Sequence, residues 1–137
     1  MSKRPFIALF IVLLAALLLA TTGFQTYWNK ERRLIASADE IVTALKAYRD
    51  GSPGTAKEFP SQLQDLLHDP RMLSDTRHLQ TVPVDPMTQK QEWGVVRNKA
   101  NQVIGVHSLS NGAPTPFARL FGFRGGEKYS DWKFTAE

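Results

Sequence analysis

Hydrophobic and polar positions divide the first fifty residues into two patterns. Residues 6–20 are all apolar, residues 21–28 are uncharged, and the next charge after Arg4 is Lys30. Apolar residues then recur at spacings of three and four, which predicts one face of an amphipathic helix. These residues are Leu34, Ile35, Ala38, Ile41, Val42, Leu45 and Tyr48.

No helix-breaking residue separates the two patterns. Residues 6–50 contain no proline, and Gly23 is their only glycine. Residues 51–54 (Gly-Ser-Pro-Gly) then form a strong stop signal. The sequence therefore predicts one continuous helix of about 45 residues, roughly 65 Å long.

The remainder of the chain predicts short elements. Ser61 and Gln64 have the spacing of a capping box, which predicts a short helix with its leucines on one side. Residues 82–86 predict an extended turn because two prolines restrict it. Residues 93–96 and 103–106 predict an antiparallel hairpin, and residues 129–134 predict a third strand.

This order predicts an α+β fold in which a small antiparallel sheet packs on the amphipathic half of the helix, giving a ladle shape. We expect residues 1–29 to form a cytoplasmic tip and transmembrane stem, and residues 30–137 to form the globular domain. The residues expected to pack helix against sheet are Leu34, Ile41, Leu45, Tyr48, Trp93 and Trp132.

The apolar run has the length of a membrane span. Residues 6–25 supply the roughly 20 residues that cross a hydrocarbon core as a helix. The residues assigned to this stem are Phe6, Phe10, Leu14, Tyr27 and Trp28, the last two as an interfacial aromatic belt. A cleavable signal peptide is the alternative, but a cut after Ala20 places Leu18 where a small residue is needed. An uncut anchor is therefore favoured.

The amino-acid composition excludes several classes of functional site. The chain has no cysteine, so disulfides and thiolate metal sites are excluded. The net charge is +4, but the charges are interleaved, as in residues 69–71 and 75–77, which predicts a solvated surface of mixed charge. Nucleic acid is not a favoured partner; DNA contact through Arg119, Arg124 and Lys128 is kept as an alternative.

The chain resembles the type IV pilin-like proteins, and most closely the pseudopilins of bacterial type II secretion systems. The resemblance lies in the order of several motifs after an apolar N-terminal stem. They are residues 44–49 (ALKAYR), 59–67 (FPSQLQDLL), 82–86 (VPVDP), 93–95 (WGV), 106–110 (VHSLS) and 129–132 (YSDW).

Two positions depart from that family. Its prepilins have Gly before the cleaved bond, Phe after it, and Glu at the fifth mature position. With Phe6 aligned to that Phe, Pro5 occupies the Gly position and Phe10 the Glu position. The possible processing site is therefore Pro5–Phe6, and proline alters the backbone at the bond that would be cut.

The resemblance implies an atypical or minor structural subunit of a type II secretion or type IV pilus-related assembly. Its partners would be other pseudopilin or pilin subunits, reached through the N-terminal helix, and the bacterial inner membrane, with the domain in the periplasm. Without a charge at Phe10, the subunit would sit at a filament tip or stay unpolymerised. A lone membrane-anchored periplasmic binding module is the competing interpretation.

No cofactor, metal or catalytic group is expected. Major pseudopilins often bind Ca²⁺ in a C-terminal loop, but residues 110–129 contain only Glu127 as an acid, and Ca²⁺ needs several anionic oxygen ligands. The three histidines lack the spacing of zinc ligands. His107 and Ser108 are adjacent on a predicted strand, so they should face opposite sides. The sequence therefore predicts a protein that is not an enzyme.

Overall fold

The computed structural model describes residues 4–116, 118 and 125–137. Its first element is a single α-helix, α1 (Arg4–Asp50), 47 residues long, as the absence of helix breakers predicts. The helix ends where the Gly51 amide donates to the Ala47 carbonyl oxygen at 2.9 Å. At 1.5 Å per residue the helix is about 70 Å long.

The two halves of α1 have opposite surroundings. Its N-terminal half is exposed on all sides, with Phe6 71% and Leu19 74% exposed. Its C-terminal half buries one face against the rest of the chain. The buried residues of this face are Glu31, Leu34, Ala38, Ile41, Val42, Ala44, Leu45 and Tyr48.

Three antiparallel strands form the sheet, in the order β1 (Gly94–Arg97), β2 (Val103–His107) and β3 (Phe134–Thr135). Val95 pairs with Val106, and a bulge interrupts the β1–β2 register after Val96. Gly105 in β2 allows the close approach of β3, because a side chain there would collide with the Phe134 carbonyl oxygen.

The third strand lies later in the chain than predicted. Residues 129–131 form a short 3-10 helix, Tyr129–Asp131, and only Phe134–Thr135 pairs with β2. The Asp131 carboxylate accepts the backbone N–H groups of Glu127 and Lys128 at 3.1 and 3.0 Å. These bonds stabilise a turn where the β-rich composition predicts extended chain.

The predicted short helix exists as a 3-10 helix, Leu63–Leu66, but its capping partners differ. Asp65, rather than Gln64, accepts the backbone N–H groups of Ser61 and Gln62, at 3.1 and 3.3 Å. A carboxylate within reach of these amides is a stronger acceptor than an amide side chain.

The core lies between the C-terminal half of α1 and the sheet, so the fold is α+β with a long helix against a small antiparallel sheet. The structure buries all six residues expected to pack there. Their exposed fractions are 0% for Leu34, Ile41 and Leu45, 4% for Tyr48, 7% for Trp93 and 1% for Trp132.

Candidate membrane and assembly surface

The N-terminal half of α1 is long and apolar enough to cross a membrane. A window of 18 residues in this helix has a mean hydropathy of 2.6, and none of that window is buried. Of the predicted stem residues, Phe6, Phe10 and Tyr27 are 71%, 65% and 60% exposed, Leu14 is 47% exposed, and Trp28 is half-buried. Among the described residues, none packs on this surface and removes it from water.

Pro5 and Phe6 lie inside the first turn of α1. Proline fits this position, because the first amides of a helix have no partner within it. Phe10 lies one turn further and is exposed. The possible processing site therefore lies in helix, and the side chain one turn beyond it is apolar.

Three threonines lie near the end of the apolar half, and the hydroxyl group of each one donates a hydrogen bond within the helix. Thr21 and Thr22 donate to the carbonyl oxygens of Leu18 and Leu19, at 2.9 and 3.0 Å, and Thr26 donates to that of Thr22 at 2.9 Å. Such bonds to the preceding turn satisfy the hydroxyl within the helix itself. The segment is thereby compatible with a hydrocarbon surrounding, where no water would satisfy these groups.

Glu31 ties the C-terminal region to the helix just beyond the stem. It is 1% exposed, and its carboxylate accepts the Thr115 amide at 2.7 Å, the Thr115 hydroxyl at 2.8 Å and the Tyr129 hydroxyl at 2.8 Å. A buried carboxylate is costly unless it accepts hydrogen bonds, and here three donors compensate it. Burial, with the adjacent Glu31, raises the pKa of Tyr129.

A second buried polar cluster holds the opposite end of the helix. Asp69 is 0% exposed and accepts two bonds from the Arg71 guanidinium, at 2.9 and 2.7 Å, while His78 Nε2 lies 2.9 Å from the same carboxylate. Arg71 also donates to the Tyr48 carbonyl oxygen at 2.8 Å and to the Ser52 hydroxyl at 2.7 Å.

This arrangement corrects the prediction that residues 69–71 belong to a solvated surface. The Arg71 guanidinium lies 3.6 Å from the centre of the Tyr48 ring and compensates the last carbonyls of α1, where a cation is favourable. Residues 75–77 match the prediction, because Asp75 and Arg77 pair at the surface. The two motifs look alike in sequence, and only their neighbours distinguish them.

Asp85 organises the turn that the prolines of residues 82–86 predict. It is fully buried, and its carboxylate accepts the Ser108 hydroxyl at 2.6 Å and the Met87 amide at 2.8 Å. Trp93 Nε1 donates to the Pro83 carbonyl oxygen at 2.8 Å. The motif residues thus join this turn to the first and second strands.

The histidines and acids of the described residues do not converge on one point. No three His, Asp or Glu side chains in these ranges are placed to hold a metal ion. Each histidine has its own neighbour: His68 lies 2.8 Å from Asp75, His78 contacts Asp69, and His107 Nδ1 lies 2.9 Å from the Ser108 carbonyl oxygen. The Ser108 hydroxyl donates to Asp85, so it does not pair with His107.

Sequence reasoning missed the burial of Glu31, Asp69 and Asp85, the three carboxylates that are buried among the described residues. The burial of Glu31 could have been predicted, because Glu31 lies three residues before Leu34 and therefore on the same face of the helix as the apolar stripe. Of the residues considered for DNA contact, Arg119 and Arg124 lie outside the described residues, and Lys128 is exposed.

Comparison with protein-family models, with curated proteins and with solved structures gave no match for this chain.

Proposed function

We propose that this chain is an atypical or minor pseudopilin-like subunit of a type II secretion or type IV pilus-related assembly. Its stem stays attached and crosses the bacterial inner membrane once, with the domain in the periplasm. Other pseudopilin or pilin subunits bind it through the N-terminal helix. Its role is structural rather than enzymatic, and it needs no bound cofactor.

The continuity of α1 carries this proposal. One unbroken helix presents an exposed apolar surface over its first half and supplies a core face of the domain over its second half. A helix that only tethered a domain could end in a flexible linker. Here Glu31 and its three donors fix the domain to the helix immediately beyond the stem. Rigid coupling of stem and domain is what an assembling subunit requires.

The stem also supports a place at a filament tip or outside the filament. A charge in hydrocarbon is costly unless it is paired, and no charge lies between Arg4 and Lys30. The stem therefore offers packing surface but no carboxylate to pair with the terminal amine of another subunit. Other subunits can pack on such a stem, but the stem cannot recruit a further subunit through a carboxylate–amine pair.

Cysteine cross-linking in native membranes tests the proposal, because the chain has no cysteine of its own. Leu14→Cys places a thiol in the middle of the stem, and Lys46→Cys places one on the exposed face of the domain half of α1. With copper phenanthroline as the oxidant, we expect Leu14→Cys to form disulfides with cysteines introduced in the stems of pilin-like subunits. Lys46→Cys should give few.

The competing function, a lone anchored binding module, predicts no such cross-links. In that case neither variant is cross-linked to a pilin-like subunit, and deletion of the gene leaves secretion, twitching and DNA uptake unchanged. The intact mass of the extracted protein also tests the attached stem. A chain that begins at Met1, Ser2 or Phe6 keeps it, whereas a soluble product beginning between Thr21 and Phe24 refutes the proposal.

A further inference from the structure

A basic cleft lies where α1 leaves the proposed membrane span. It has a volume of about 450 Å³ and lies between α1 and the turn that Asp85 organises. We call it the membrane-proximal cleft. Its lining residues are Lys30, Arg33, Ala36, Ser37, Val84, Pro86 and Gln89.

The cleft has cationic and hydroxyl groups but no acid in its lining. Lys30, Arg33 and Ser37 follow one another at spacings of three and four, so they share one face of α1. Among the described residues, neither Lys30 nor Arg33 forms an ion pair. Asp85 lies between the lining residues Val84 and Pro86 in sequence, but it does not line the cleft, because its carboxylate is buried against Ser108 and Met87. The site therefore suits an anion.

The end of the cleft nearest the stem, at Lys30, lies at the height of the headgroup layer of a bilayer. If residues 6–25 fill a hydrocarbon core of about 30 Å, the polar layer extends roughly 5–8 Å beyond it. Lys30 lies five residues past Gln25, or about 7.5 Å along the helix. Side chains on a helix lean toward its N-terminus, so Lys30 and Arg33 both lean back toward the membrane.

The opposite wall adds an apolar contact. Val84 is 49% exposed, and the hydrogen bonds of Asp85 hold the turn that carries it. An exposed apolar residue beside two cations fits a lipid, which offers an anionic phosphate next to apolar chains. A soluble phosphate would use the cations but not Val84.

We propose that the membrane-proximal cleft binds the headgroup of an anionic phospholipid, with Lys30 and Arg33 on the phosphate. This inference rests on the proposed insertion of the stem in a membrane. Binding here would hold the domain at a set height and tilt above the bilayer.

The test uses the full chain in nanodiscs of phosphatidylcholine, alone or mixed with phosphatidylglycerol. Ala36→Cys, labelled with a fluorophore that responds to polarity, reports contact between the cleft and the membrane and leaves Val84, Lys30 and Arg33 in place. We expect phosphatidylglycerol to shift the emission to shorter wavelength and added salt to reverse the shift, since salt screens such attraction.

Neutralising the two cations should remove most of this response. A basic residue at an anionic surface strengthens association about fivefold, so Lys30→Gln with Arg33→Gln should weaken the contact about thirtyfold. The matched control, Lys46→Gln with Lys99→Gln, removes the same charge from exposed residues outside the cleft and should leave the response nearly unchanged. Tryptophan emission, to which the buried Trp93 and Trp132 contribute, checks that both variants are folded.

Three outcomes would overturn the inference: an equal response without phosphatidylglycerol, an equal loss in the control variant, or the same shift on adding soluble glycerol phosphate to phosphatidylcholine discs. Resistance of the chain to carbonate extraction from native membranes tests insertion of the stem separately. A chain that is extracted refutes the proposed membrane anchor. A chain that stays inserted but shows no lipid response refutes only the cleft.

Discussion

Replacing Asp69 by Asn should strongly destabilise the domain. Asp69 is fully buried, and Arg71 donates three of the four hydrogen bonds to its carboxylate. The Arg71 side chain is only 17% exposed. The substitution keeps the shape but leaves the guanidinium without its anion. Removing one partner of a buried ion pair costs about 3–5 kcal/mol, because the other charge stays desolvated.

That cost is large beside the total stability of a small domain, about 5–15 kcal/mol. Urea unfolding of the full chain in detergent, followed by tryptophan emission, measures it. The matched control is Asp75→Asn, which breaks an exposed pair with Arg77 and should change the free energy of unfolding far less. If both variants lose the same small amount, Asp69 and Arg71 do not hold the end of α1.

The pH dependence of the wild type gives an independent measurement. The Arg71 guanidinium, helped by His78 and the Arg71 amide, lowers the pKa of Asp69 despite its burial. An unfolded Asp has a pKa of about 3.9, so the unfolded chain binds the proton first as the pH falls. The stabilisation is therefore fully present above about pH 4 and is lost as the pH falls toward the lower folded-state value. Asp69→Asn should flatten the stability curve in that range.

The other predictions concern the helix face and the Glu31 cluster. Leu34→Ala or Leu45→Ala should each cost about 2–5 kcal/mol in urea unfolding, whereas Lys46→Ala should cost within about 0.5 kcal/mol; equal effects would mean that the stripe is not a core face. Tyr129→Phe should cost about 1–3 kcal/mol, because it removes a donor from buried Glu31. Since the pKa of Tyr129 is raised, wild-type stability should also fall above about pH 10, where the unfolded tyrosine ionises first, and Tyr129→Phe should lose less there.

The sequence alone predicts the long helix, its division into exposed and packed halves, and the hairpin. These features depend on local periodicity and on the absence of proline, which act over a few residues at a time. The apolar run likewise predicts a stem that lies outside the core of the domain. It has no polar face that could be turned toward water while another face packs on the domain. The fold class follows from the order of these elements.

The burial of the carboxylates could not be predicted in the same way. Glu31 and Tyr129 are 98 residues apart, and Asp85 and Ser108 are 23 apart, so no local pattern records these pairs. Asp69 looks like a surface acid until the end of α1 brings Tyr48 and Ser52 to Arg71.

The same reasoning applies to the membrane-proximal cleft, whereas the third strand is displaced by a local contact. Residues 129–134 have a strand-like composition, but Asp131 reaches two backbone amides and turns the chain before β3 begins. Lys30 and Arg33 become one wall of a cleft only because the turn at Asp85 packs opposite them. Secondary structure was determined by neighbours along the chain, whereas the environment of each charge was determined by neighbours in space. The cost of desolvating a charge depends on those spatial neighbours, and for that reason only the tertiary structure decides it.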